Sequence, residues 1–422
     1  MQKPLPYIAL LMATVAFSAN FSVWVLYAVI GLYLQQTQNL SSTELGFFFA
    51  APVSTGALLR IPVGILVDHY NPKTLFVWQM ILVSPVLFLL PLINSFTLYL
   101  IAGLWIGISG VSFTIGIRYI TDWFERKKQG TAMGIFGAGN AGAAITLILA
   151  PIVIDDYGWS ALGPFYGFGI LFMATIFALF APSKNPTISY TECSLAHSLS
   201  QAVSYPLKVW RFGLYYYFVF GSFLALILWL PQYYVNAYNT ELNEAMAFTL
   251  LFATSSSMVR ALGGWFSDRY GGRTVNWSVF WVCLVCLFFL SYPTTTMTIH
   301  GIKHDVEISI SINIWVFTLL IFVIGIAQGF GRASVYKILH DNYPNDMGRV
   351  GGFVAALGAL GGCTLPILFG LAEDLIGIHS ASFMLLYGVL AVCMITMYLA
   401  NKADRQQQRL KNALDNNFLL ND

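Results

Sequence analysis

The chain has 422 residues, of which 57% are hydrophobic and 16% aromatic, but only 9% are charged, and its formal net charge is +2. A soluble domain carries about 25% charged residues, so a water-facing surface cannot be built from this composition, and disorder is excluded because it requires low hydrophobicity. The near-neutral balance gives no footing for nucleic-acid binding, and the chain reads as an all-α integral membrane protein.

Apolar runs of the roughly 20 residues needed to cross a bilayer predict twelve transmembrane helices, at 7–34, 45–68, 74–94, 97–121, 130–154, 160–181, 208–236, 245–268, 274–293, 310–338, 348–371 and 378–400. The first run is too long for the apolar core of a cleaved signal. The longest breaks are 182–207 and 294–309. The former divides the chain into a six-helix bundle (1–181), a cytoplasmic linker (182–207), a second bundle (208–400) and a polar tail (401–422). The tail is open to two readings, a short cytoplasmic helix or a disordered end. Cys283 and Cys286 form a C-x-x-C pair inside an apolar run, with no His or second pair to assist, and read as packing residues. No metal or cofactor is expected.

Positive charge sets the orientation. Of the 21 Lys and Arg residues, sixteen fall in segments on the side of the N-terminus and only Lys303 on the other. Both termini are therefore expected in the cytoplasm, and the membrane is expected to be the inner (cytoplasmic) one. The remaining four cations, Arg60, Arg118, Arg260 and Arg332, lie inside predicted helices, whereas no acid lies near a helix centre.

The halves repeat. LLRIPVGILVDHYNPKT closes the second helix and MVRALGGWFSDRYGGRT the eighth; Arg60, Gly64 and Asp68 recur as Arg260, Gly264 and Asp268 at an offset of 200. This predicts two pseudo-symmetric bundles. Gly64 and Gly264 are expected to admit a neighbouring helix, and Asp68 and Asp268 to pair with a cation or cap the next helix. GILVDHYNPK and GWFSDRYGGR resemble the cytoplasmic loop signature of the major facilitator superfamily. The first copy departs from it at His69 and Asn71.

Arg60 and Arg260 lie eight residues from those aspartates, roughly 12 Å into the membrane at about 1.5 Å per residue. Burying a cation there costs about 2.5–3.5 kcal/mol or more, and no acid is available at that depth. Two facing guanidinium groups waiting for an anion is the stronger reading; pairing to backbone carbonyls is the alternative. Arg332 and Arg118 are additional candidate cavity cations, although Arg118 can instead pair with Asp122 one turn on.

Two helices are unusually rich in glycine, which weakens a helix by about 1 kcal/mol against alanine. GTAMGIFGAGNAGAAITLILAP (130–151) carries Gly134, Gly137 and Gly139, and GRVGGFVAALGALGGCTLPILFG (348–370) carries Gly358, Gly361 and Gly362. Their matching places predict a core interface that moves, and Asn140 adds a buried amide able to hydrogen-bond an anion. Both stretches, each followed by a proline (Pro151, Pro366), resemble the paired signatures of the nitrate/nitrite porters of the major facilitator superfamily. The resemblance extends over both bundles. It implies an anion site in which Arg60 and Arg260 form a clamp with Asn140 nearby. The helix-seven pattern Tyr216, Phe220, Gly221, Ser222, Phe223 implies a hydroxyl donor at Tyr216 and an apolar wall at Phe220, with Phe21 and Phe113 as further wall candidates. Arg332 stands where many relatives have Asn, and Arg118 at a normally uncharged position; if both face the cavity, a larger or more highly charged anion becomes the better fit.

Function follows as an expectation: a secondary transporter of nitrate and nitrite by alternating access, working by exchange. Proton-coupled nitrate symport, or transport of a small carboxylate or phosphorylated metabolite, is the alternative. An enzyme would need clustered Asp, Glu, His or Ser groups, which the sequence lacks. A monomer in the lipid bilayer is expected, with the small anion as its one ligand.

Overall fold

A computed structural model of the chain describes residues 5–38, 40–184, 205–300, 304–343 and 347–418. Most of the linker, Lys303, the last four residues and the side chain of Asp68 lie outside that description. The helices in chain order are α1 (Leu5–Gln38), α2 (Ser42–Leu58), α3 (Arg60–His69), α4 (Pro72–Leu89), α5 (Phe96–Ile106), α6 (Ser112–Thr121), α7 (Arg126–Gly137), α8 (Gly142–Tyr157) and α9 (Trp159–Phe180). The second half contains α10 (Leu207–Tyr216), α11 (Ser222–Tyr238), α12 (Leu242–Met258), α13 (Arg260–Tyr270), α14 (Gly272–Leu290), α15 (Ile314–Asn342), α16 (Met347–Ile376) and α17 (Ala381–Phe418). Among the described residues, eleven segments are long and apolar enough to cross a membrane, and twelve when α12 and α13, bent by 40° at their junction, count as one span.

Two departures from the sequence reading concern the ends of spans. The 294–309 break holds a β-hairpin, β1 (Thr295–Ile299) against β2 (Val306–Ile310), antiparallel with Met297 opposite Ile308. The tail is neither a separate helix nor a coil: α17 runs on to Phe418, and Arg273 holds its Asp404 at 2.7 Å.

Local chemistry sets the helix ends. Ser41 and Glu44 form a reciprocal capping box at the start of α2. Asn71 departs from the loop signature because it works differently from its counterpart Gly271. Its side chain accepts from the Lys73 N–H ahead of Pro72, in extended backbone, whereas Gly271 turns the chain at φ +83°, a conformation that disfavours side chains. Asp268 pairs with Lys337 of α15 at 3.2 Å, and Lys337 also meets Asp341 at 3.2 Å.

Small residues decide where backbones touch, but not where the sequence placed them. A Cβ on Gly64 would meet only Thr114, at 3.8 Å, and one on Gly264 or Gly134 would meet nothing within 4 Å. These three glycines do not admit a neighbour, since the surfaces they face are open. The tightly packed residue is Gly263, 2.7 Å from the Phe330 backbone. The glycine-rich faces also pack mainly inside their own bundles. Cβ atoms on Gly139 and Gly142 would lie 2.5 Å from Phe17 and 2.0 Å from the Ser18 carbonyl of α1. On Gly358, Gly361 and Gly362 they would strike Tyr216, Tyr217 and Leu224 at 2.3–2.8 Å. These glycines bring α1 and the α10–α11 helix into close contact with their neighbours. Close approach between halves uses Gly46 against the Pro366 carbonyl (2.4 Å) and Gly370 against that of Ser42 (2.0 Å).

At the end of the bundle interface away from the Lys337 pairs, Asp374 of α16 accepts from the N–H groups of Ser42 (3.2 Å) and Thr43 (2.8 Å), the exposed donors at the start of α2. Asp155 of α8 likewise accepts from Asn243 of α12 at 3.0 Å. The adjacent Glu373 is buried and bonds to His379 in the α16–α17 turn.

Two outcomes follow. Gly142→Ala should lower detergent-solubilised stability by about 1–3 kcal/mol, the usual overpacking cost, whereas Gly264→Ala, in a helix and facing open space, should leave it unchanged or raise it by up to about 1 kcal/mol in the same thermal melt. The hydrogen bond to Glu373 holds the His379 pKa above its usual value. Its stabilisation is thus fully present below the unfolded His value of about 6.5 and lost as pH rises through the folded one. The melting-temperature gap between the native chain and His379→Gln should be widest in mild acid and close as the buffer is made alkaline.

Candidate functional site

Arg60 and Arg260 are each the first residue after a break in the helix ladder, at Leu59 and Val259. In the first half the cause is covalent. Pro62 has no N–H to offer the Leu58 carbonyl, and its ring crowds that group. Both arginines are nearly inaccessible, 5% and 7% exposed, and Arg332 is fully buried.

The two reach across the bundle interface in mirrored fashion. Nη1 of Arg60 donates to the Ala355 carbonyl on α16 at 3.1 Å, and Nη1 of Arg260 to the Gly137 carbonyl at the end of α7 at 3.4 Å. A Cβ on Gly137 would lie 2.7 Å from the Arg260 guanidinium carbon, so a larger residue there must displace the arginine. Asn140 lies in the short 3₁₀ turn linking α7 to α8. With its amide turned to satisfy both neighbours, its oxygen accepts from Arg332 Nη1 at 2.9 Å and Arg260 Nη1 at 3.3 Å. Asn140 thus meets two of the three cations.

Aromatic rings surround Arg60. Its guanidinium carbon lies 5.5 Å from the centre of Phe113 and 5.8 Å from those of Trp24 and Phe220. Each such contact contributes about 0.5–2 kcal/mol, which offsets part of the burial cost without using a hydrogen-bond donor. Nε of Arg60 is buried without a partner. Tyr216 stacks on Phe220 with ring centres 5.2 Å apart; Tyr216 immediately precedes, and Phe220 lies within, a single π-helical turn, Tyr217–Gly221, between α10 and α11. Such turns insert a residue into a helix and recur at functional sites.

Among the described residues no carboxylate lies within ion-pair distance of Arg60, Arg260 or Arg332. Arg118 is placed elsewhere, at the end of α6, where it forms an ion pair with Asp122 and is partly exposed. Phe21 is buried but packs edge-on against Trp24 at 5.8 Å, which puts Trp24 rather than Phe21 on Arg60. Two members, Trp24 and Tyr336, have no role in the sequence analysis, and Phe223 enters it only as part of the helix-seven pattern. Trp24 lies one helical turn from Phe21. Phe223 carries Arg332 at 3.9 Å from its ring centre, and Tyr336 meets Tyr216 edge-on at 5.2 Å. Tyr336 follows Arg332 by one helical turn, and that spacing is the signal the sequence offers.

The cluster offers buried, partly uncommitted guanidinium donors, an amide and hydroxyls inside aromatic walls, an arrangement suited to a small planar anion. Gly137→Ala should push Arg260 aside and diminish anion-induced thermal stabilisation, with the melting temperature of the anion-free protein little changed.

A sequence model of the Major Facilitator Superfamily matches residues 12–302. A probable nitrate/nitrite antiporter of Thermus thermophilus is 32% identical over 95% of this chain and 93% of its own length. A nitrite extrusion protein of Bacillus subtilis is 26% identical over 96% of this chain and 97% of its own. Among solved structures, an inward-facing, occupied bacterial homolog of the human lysosomal transporter Spinster superposes with a TM-score of 0.72 at 14% identity, covering 95% of this chain and 98% of that one. That likeness shows the fold alone. The chain is a multi-pass membrane protein and belongs to the Major Facilitator Superfamily, within its family of nitrate/nitrite porters.

Proposed function

We propose that the chain carries nitrate and nitrite across the cytoplasmic membrane by alternating access, nitrite leaving as nitrate enters, with both termini inside. The observation that carries this reading is the mirrored pair Arg60 and Arg260, buried across the bundle interface with only neutral partners. Nitrate is planar with three acceptor oxygens, and a guanidinium is a planar fork of donors, so two arginines can bind it through several charge-assisted hydrogen bonds. Phe113, Phe220 and Trp24 make a water-poor enclosure around Arg60, and Tyr216 stacks on Phe220.

The same charges argue for exchange. Carbonyls and the Asn140 oxygen satisfy some donors of the empty site but leave its positive charge uncancelled. An anion cancels one of those charges in a medium where unpaired charge is costly, so the loaded carrier reorients more readily than the empty one. The moving units are the bundles 1–181 and 208–400, joined by the 182–207 linker, and the chain acts as a monomer and not as an enzyme. The names of the relatives support nitrate and nitrite as the substrates.

The test is labelled-nitrate uptake into proteoliposomes preloaded with nitrite. Uptake should require internal nitrite and be indifferent to a proton gradient. Gradient-driven uptake would replace exchange by symport, and no nitrate uptake by folded protein would overturn the substrate. Arg60→Lys and Arg260→Lys should each lower uptake about ten- to a hundredfold, the loss expected when a charge-assisted fork becomes a point charge. Size-exclusion profiles should be unchanged, and wild-type rates in either variant would exclude the clamp.

A further inference from the structure

The two mirrored helix breaks have different causes. Pro62 explains the one at Leu59, but the equivalent position in the second half is Leu262, so nothing in the local sequence interrupts α12–α13. In an unbroken helix the N–H of Arg260 would bond to the carbonyl four residues earlier, that of Ser256. In the structure Arg332 of α15 takes this carbonyl, its Nη2 donating to Ser256 O at 2.5 Å and to Ser256 Oγ at 2.8 Å. Gly329, one turn earlier on α15, lets the two helices close on the break. A Cβ there would lie 2.7 Å from the Ser256 oxygen and 3.6 Å from the Arg260 nitrogen.

The other donors of Arg332 are also committed. Nε donates to the Gln328 carbonyl at 3.4 Å, Nη1 to Asn140 at 2.9 Å, and the guanidinium carbon lies over the Phe223 ring, 3.9 Å from its centre. Four of its five N–H groups therefore point at protein acceptors, in contrast to Arg60.

We infer that Arg332 is a positioning residue rather than an anion ligand: it does with a side chain what Pro62 does covalently, holding open the break from which Arg260 projects. This rests on the proposed nitrate site, but its central prediction concerns helix geometry and can be read without substrate.

The experiment compares native protein, Arg332→Gln, Leu262→Pro and the double variant. Position 262 lies in the first turn of α13, where proline is tolerated, and Leu262 is 56% exposed. Spin labels at positions 251 and 270, on a background with the native cysteines replaced, report the bend between α12 and α13. Arg332→Gln should lengthen that distance as the helix straightens and raise the apparent KM for nitrate by roughly ten- to a hundredfold, the cost of a misplaced binding group, with a smaller effect on maximal rate. Adding Leu262→Pro should restore both the distance and KM. If the Gln variant does not fold, Arg332→Lys, which keeps the charge but not the fork, takes its place with the same expectation. An unchanged distance in the Arg332 variant, or a KM that the proline leaves unrepaired while Leu262→Pro alone transports normally, overturns the inference. Failure of native protein to take up nitrate, with the distances responding as described, overturns the substrate alone.

Discussion

Everything at the centre of this molecule depends on a positive charge that has been taken out of water without a counter-charge among the described residues. Three guanidinium groups are buried where the two bundles meet, and the acceptors around them are carbonyls, an amide and a serine hydroxyl. Neutral dipoles satisfy hydrogen-bond geometry but do not cancel charge. A protein that needed only stability would place a carboxylate there, as this one does at Asp122 beside Arg118 and at Asp268 beside Lys337. Leaving the central cations unneutralised keeps their charge available, which is what the proposed anion site requires.

The rest of the fold can be read as ways of holding those groups still. Aromatic faces shield Arg60 while leaving its donors open, and the glycines of the two rich helices let α1 and α10–α11 sit close enough to present Trp24, Tyr216 and Phe220. Arg60 and Arg260 each follow a helix break, and their side chains reach the opposite bundle. At the far end of the interface the contacts are of another kind: Asp374 and Asp155 reach between bundles to backbone and amide donors, which are directional and separable. Such contacts suit an interface that opens, because they can be exchanged for water at little cost.

Pseudo-symmetry extends to function but not to chemistry. The halves agree on where the arginine stands and where the helix breaks, yet one break follows from Pro62 and the other from Arg332. The loop that follows is capped by Asn71 in one half and turned by Gly271 in the other. Duplicated geometry has been kept while the residues producing it have diverged.

The sequence by itself determined the class of fold, the approximate spans and the importance of Arg60 and Arg260. Hydropathy and buried charge carry free-energy costs that hold whatever the neighbours are, so an arginine deep in an apolar run signals a function before any contact is known. The glycine-rich helix pointed to Asn140, and resemblance added Tyr216 and Phe220 on the same linear evidence. What the sequence could not decide was which surfaces meet. Gly64, Gly264 and Gly134 carry no label distinguishing an open face from a packed one, and Phe21 and Trp24 are equivalent until the rotation of α1 is known. Arg332 could have been an anion ligand or a strut, and only the arrival of its guanidinium at the Ser256 carbonyl separates the two. Such choices depend on distances between residues far apart in the chain, set by the packing of whole helices, and only the tertiary structure supplies them.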